Sequence, residues 1–172
     1  MTVLNAKPLV CAALLALVAA APAIGQGNKP VDKSPDVVEV RQYRLTMDKI
    51  DKLVSATGAV NKLILSDPAL RKRMDANSEE DKSIDQKARR IEAEFPQAAA
   101  VLRSNGFSAR EYIVMSLAFI NDLMFVGMKK QGAIKEYPPA SITPENAAFV
   151  EQNYDKLQEI SKKLTPPDDA TQ

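Results

Sequence analysis

A chain of 172 residues with 45% hydrophobic and 26% charged side chains has the size and balance of one globular domain. It carries no histidine, no tryptophan and a single cysteine, Cys11, which excludes Ser–His and Cys–His nucleophile pairs and a zinc site built from His and Cys. The formal charge is +1, and the two basic clusters, Arg71-Lys72-Arg73 and Lys87-Ala88-Arg89-Arg90, have acidic residues close by. That balance excludes the dense positive stripe that displaces counterions from a nucleic acid.

Residues 1–25 have one lysine, Lys7, then an apolar run from Pro8 to Ala21 and a string of small residues. This is the layout of a secretory signal peptide. Two cuts fit, after Ala23 or after Gly25, and the polar stretch opening at Gln26 favours the second. An uncleaved anchor fits less well, because the run is shorter than the ~20 residues a bilayer span needs. Cys11 follows Lys7-Pro8-Leu9-Val10, too close to the basic start for a lipid-attachment site. The expected destination is a bacterial periplasm or the exterior. Loss of Lys7 with this segment leaves 22 basic and 22 acidic side chains, since no acidic residue lies within it.

Residues 26–45 read as a flexible leader with Gly27, Pro30 and Pro35, and the β-branched start of Val37–Leu45 predicts a short extended segment. Thr46 is an N-cap with Asp48 in the first turn, and Leu45 and Ile50 fit a hydrophobic staple. The helix so opened runs to about Ser66, with Ile50, Leu53, Val54, Thr57, Val60 and Ile64 on one face. Gly58 weakens its middle unless a neighbouring helix approaches closely there. Asp67-Pro68 starts a short helix to Met74. Ser78 with Asp81 resembles a capping box for the next, on which Ile84, Ala88, Ile91 and Phe95 recur at helical spacing. Pro96 forces a bend and a fresh short helix to Ser104, closed by Asn105-Gly106.

Ser108-Ala109-Arg110-Glu111 is a capping box for the longest apolar stretch, which Lys129, Lys130 and Gly132 close. Thr143-Pro144 opens a last helix to Leu164 with Ala147, Val150, Tyr154, Leu157, Ser161 and Leu164 along one seam. The expected fold is therefore all-α: four main helices plus one or two short ones, arranged around a central apolar helix at about 109–131. A single helical domain spans 46–165, and 166–172 form a tail.

From Tyr112 to Met128 the central helix is broken only by Ser116, Asn121, Asp122 and Gly127. A membrane span would place Asp122 deep in hydrocarbon, at a cost of about 2.5–3.5 kcal/mol, so a soluble core helix is the better reading. On a helical wheel Glu111, Ala118, Asp122 and Lys129 share one narrow strip, which reads as a water-facing edge. The alternative makes Asn121 and Asp122 ligand contacts at the floor of a pocket, with Asn121 off the strip and wanting a partner. The acidic run Glu79-Glu80-Asp81 with Asp85 lacks calcium-loop spacing, and no Glu-x-x-His pair exists for a di-iron site. Met115, Met124 and Met128 read as core filler. No catalytic residue, metal or cofactor is expected.

The residues Asn105-Gly106-Phe107-Ser108-Ala109-Arg110-Glu111-Tyr112, with Leu45–Lys49 and Thr143-Pro144-Glu145-Asn146, resemble a group of small exported bacterial helical proteins. The resemblance covers most of the chain after the signal segment. It implies location and fold and carries no activity or site residues. The sequence thus predicts an exported, non-enzymatic helical protein of the cell envelope that serves as an interaction or small binding module, its partner an unknown protein or an apolar small molecule. A binder of an apolar molecule such as a lipid inside the bundle is the alternative, favoured if a sizeable cavity lies beside Phe119, Leu123 and Phe125.

Overall fold

The computed structural model describes residues 34–76 and 83–164. The expected signal segment, the first part of the expected leader, the Ser78–Asp81 pattern and the expected tail lie outside them. Seven helices and no strand are found among the described residues. They are α1 (Pro35–Gln42), α2 (Met47–Ser66), α3 (Pro68–Ala76), α4 (Ile84–Glu94), α5 (Pro96–Ser104), α6 (Ala109–Lys130) and α7 (Pro144–Leu164). The fold is all-α, as the punctuation of the sequence predicts.

Most helix starts follow the predicted caps. Thr46 accepts from the Lys49 amide, Asp67 from the Leu70 amide, Ser108 from the Glu111 amide and Thr143 from the Asn146 amide. The fifth start differs. Ser83 and Gln86 make the reciprocal capping box of α4, five residues on from Ser78. Glutamine spans the distance back to the cap backbone that the shorter Asp81 side chain spans poorly. Two helix ends share one solution: Gly106 and Gly132 take φ of 81° and 75°. Around them Phe107 N–H and Ala133 N–H reach back to Leu102 and Met128 C=O, closing Schellman motifs on α5 and α6.

Residues 37–42 are helical, and the expected extended segment is wrong there. Ser34-Pro35-Asp36 is another cap followed by proline: the Ser34 hydroxyl accepts from Val37 N–H and Asp36 occupies the first turn. Those signals prevail over the β-branched run Val37, Val38, Val40. The helix also has tertiary anchors. Asp36 accepts from the backbone amide of Ile84 at 2.9 Å, and Glu39 pairs with Arg110. Only from Tyr43 is the chain extended.

The core runs through all the later helices. The predicted faces of α2 (Ile50, Leu53, Thr57, Val60, Ile64) and α4–α5 (Ile84, Ala88, Ile91, Phe95) are buried. α6 is the shared wall, packing against α1, α2, α4, α5 and α7. It is long and apolar enough to cross a membrane by length and composition, yet 61% of its most apolar window is buried within the bundle. Gly58 is not a crossing point, since nothing lies within 4 Å of a Cβ built there. The close approach is at Gly127 instead, where a Cβ would meet the Tyr154 hydroxyl of α7 at 2.7 Å.

Candidate functional site

Asp122 lies in the middle of α6, two turns beyond Met115, and is 1% exposed. The water-facing strip expected through it does not exist. Glu111 and Lys129 at the strip's two ends do reach solvent, where Glu111 accepts from the Tyr43 hydroxyl and Lys129 pairs with Glu151. Between them Ala118 and Asp122 are covered. Asp122 meets the first turn of α7 at Asn146, which in turn holds the corner joining α1 to α2. A wheel gives the polarity of a face but not which segment crosses it, and polar Asp122 bonds directly to that segment.

The bonds converge on Asn146, the third residue of α7, itself 1% exposed. Its Nδ2 donates to Asp122 Oδ2 at 2.7 Å and to the Tyr43 carbonyl at 2.9 Å. Its Oδ1 accepts from Leu45 N–H at 3.1 Å. One amide side chain thereby satisfies both backbone groups of an extended corner that belongs to no helix. Its orientation is fixed, because a carbonyl only accepts and a peptide N–H only donates. Asn121 has the partner it lacked in sequence: Nδ2 donates to Ser141 C=O at 2.9 Å and more weakly to Asp122 Oδ1 at 3.4 Å. The node therefore ties α6, the α1–α2 corner, the linker 132–143 and α7 together.

Electrostatically the node is a carboxylate held by amides alone. Burial pushes the Asp122 carboxyl up to about 7, against the opposing pull of Asn146 and Asn121, whose donated bonds favour the ionised form. No cation or second carboxyl contributes to that shift. Chemically this is a structural clasp: both oxygens are engaged, Oδ2 by Asn146 and Oδ1 by Asn121. Among the described residues no cluster of three or more His, Cys, Asp or Glu is arranged to hold a metal ion.

Two further polar features lie on α6. The Tyr112 hydroxyl meets Thr57 Oγ1 of α2 at 2.9 Å, and the Tyr112 ring stands edge-on to Phe107. Beside them a cavity of about 50 Å³ is lined by Leu53, Thr57, Ser116, Phe119, Ile120, Ser161 and Leu164. Arg110 bridges Glu39 of α1 and Asp85 of α4 at the surface.

Of the two residues singled out in the sequence, the structure brings Asn121 and Asp122 into one network. Sequence reasoning missed Asn146, Ser141 and the Tyr43–Leu45 backbone. Asn146 had a signal, since it shares the buried face of α7 with Ala147 and Val150 and interrupts an apolar seam with an amide. The outward face of α6 is also unlike the expected one. Ile120 is 37% exposed, and Leu117, Met124 and Met128 are half-buried along the same side. No family profile, curated protein or solved structure matches the chain, so the resemblance to exported helical proteins rests on its motif residues alone.

Proposed function

We propose that the protein is an exported, non-enzymatic helical module that binds a protein partner in the cell envelope. The observation that carries this reading is the outer face of α6, where Leu117, Ile120, Met124 and Met128 leave apolar surface to solvent on the chain's most central helix. Methionine and leucine adapt to varied apolar partners, so the complementary surface is one offering apolar rather than charged side chains. The Asp122 node supports the non-enzymatic part, because the carboxyl with a raised proton affinity is buried and its bonding partners are two amide side chains. Export is supported by the layout of residues 1–25.

An apolar ligand inside the bundle has less support. A cavity of about 50 Å³ holds a few water molecules, whereas ligand sites occupy roughly 300–1,000 Å³. The test is chemical cross-linking in the native host with the wild type and with Ile120→Glu and Met124→Glu. Loss of a defined cross-linked species in both variants, with unchanged far-UV circular dichroism, is the expected result. The same species in all three proteins would overturn the docking face, and an intact Met1 on protein from the envelope fraction would overturn cleavage.

A further inference from the structure

We infer that the Asp122–Asn121–Ser141 contact is a proton-operated latch on the α6–α7 linker, closed when Asp122 is ionised and open when it is protonated. This inference is independent of what docks on the outer face of α6. It stands on the unequal treatment of the two carboxylate oxygens. Oδ2 takes the short 2.7 Å bond from Asn146, whose amide cannot turn because Tyr43 C=O and Leu45 N–H hold its two ends. Oδ1 takes only the 3.4 Å bond from Asn121. A proton from solvent therefore goes to Oδ1, where it displaces the weaker interaction.

Protonation there sets two donors against each other, the new O–H of Asp122 and the Nδ2–H of Asn121. Asn121 is free to respond, since its amide is pinned by Ser141 C=O alone. Turning the amide over presents Asn121 Oδ1 to the acid and restores a hydrogen bond. The same turn points an oxygen at Ser141 C=O, and two acceptors cannot bond. The tie between α6 and residue 141 is lost. The linker keeps its local Ser141–Pro138 bonds and the Ala133 and Ile134 amides on Met128 C=O, so release is confined to its distal half.

The charged and titratable groups around Asp122 leave it to titrate by itself. Arg41, Tyr43, Arg44 and Lys49 belong to the corner side, and Arg41 and Lys49 are engaged with Ala140 C=O and Arg44 C=O. On α6 itself, Glu111 and Lys129 are held by Tyr43 and Glu151. The linker carries Lys135, Glu136 and Tyr137, α7 carries Glu145 and Glu151, and α4 offers Asp85, which faces Arg110. None of these contributes to the displacement of the Asp122 carboxyl toward about 7, whose cause is burial.

Backbone hydrogen exchange on the full chain, corrected for intrinsic rates at pH 5.5 and pH 8, tests the latch. At pH 5.5 the Ser141 amide, whose bond to Pro138 C=O opens more often once the linker loses its tie to α6, is expected to lose protection roughly three- to tenfold, while α6 amides keep theirs. Asp122→Asn, which places a permanent donor near Asn121, is expected to show the lower protection at both pH values. Asn121→Ala should do the same. Equal protection of the linker at both pH values in the wild type overturns the latch, as does wild-type pH 8 protection in Asp122→Asn. If Asp122→Asn does not fold, Asn121→Ala decides, and a pH step surviving in it overturns the proposal.

Discussion

At the scale of single residues, Asp122 and Asn146 put opposite signs on stability. Asp122 has a raised carboxyl, so the folded chain binds a proton more tightly than the unfolded one between its ordinary value near 4 and about 7. Its contribution is most favourable at low pH and is lost as pH rises through that window. The linkage amounts to up to about 4 kcal/mol at pH 8, at about 1.4 kcal/mol per pH unit. Asp122→Asn keeps an oxygen for Asn146 and removes the buried charge. Thermal melts are expected to show the wild type gaining stability from pH 8 to pH 5.5, with the variant flatter and more stable at pH 8. Asn146→Ala should fail in the other direction, leaving Leu45 N–H and Tyr43 C=O without their partner and Asp122 with only the weak Asn121 bond. A loss of about 3–5 kcal/mol in denaturant unfolding is expected from a buried charge and two backbone groups left unpaired.

Among helices, glycine has three different meanings here, and each predicts its own result. Gly58 is exposed on α2 with open space where an alanine methyl would stand, so Gly58→Ala should stabilise by up to ~1 kcal/mol. Gly106 sits at φ 81° in the Schellman turn after α5, and Gly106→Ala should destabilise by about 1–2 kcal/mol through the left-handed backbone alone. Urea midpoints of the two variants, compared with the wild type, check both signs. Gly127 falls between, because a methyl there meets a tyrosine hydroxyl that can shift. Helix α1 is the element whose tertiary hold is most polar: it has no buried residue and is fastened by the Glu39–Arg110 pair and the Asp36–Ile84 contact. Exposed ion pairs are weak and screened by salt. Raising salt to about 1 M, or Arg110→Ala, is expected to speed amide exchange in α1 while leaving α2 and α6 unchanged.

For the molecule as a whole, the sequence was informative wherever local chemistry decides the outcome. Caps at Thr46, Asp67, Ser108 and Thr143 act within four residues, and the apolar faces of α2, α4 and α6 follow from period alone. Helix α1 was equally legible in Ser34-Pro35-Asp36, but its valines pointed the other way. The node was not legible for a different reason. Asp122 looked solvent-facing because its strip begins and ends in charged residues, while Asn146, which meets its carboxylate, opens a helix 24 positions later. Helical period cannot report which segment lies across a face. Asn121 wanted a partner by its chemistry and has one, yet Ser141 supplies a backbone carbonyl, which no residue type announces.

The side chain of Asn146 does for residues 43 and 45 what a neighbouring strand or turn does in other corners. It lies 101 positions downstream of the amide it accepts from. A chain released amino end first therefore cannot complete its first corner until almost its last helix has emerged. Until then the Leu45 amide and Tyr43 carbonyl belong to water. The early segments wait for the late one. Completion brings the α1–α2 corner and the start of α7 together, and a fragment ending before residue 146 lacks the group that closes the corner.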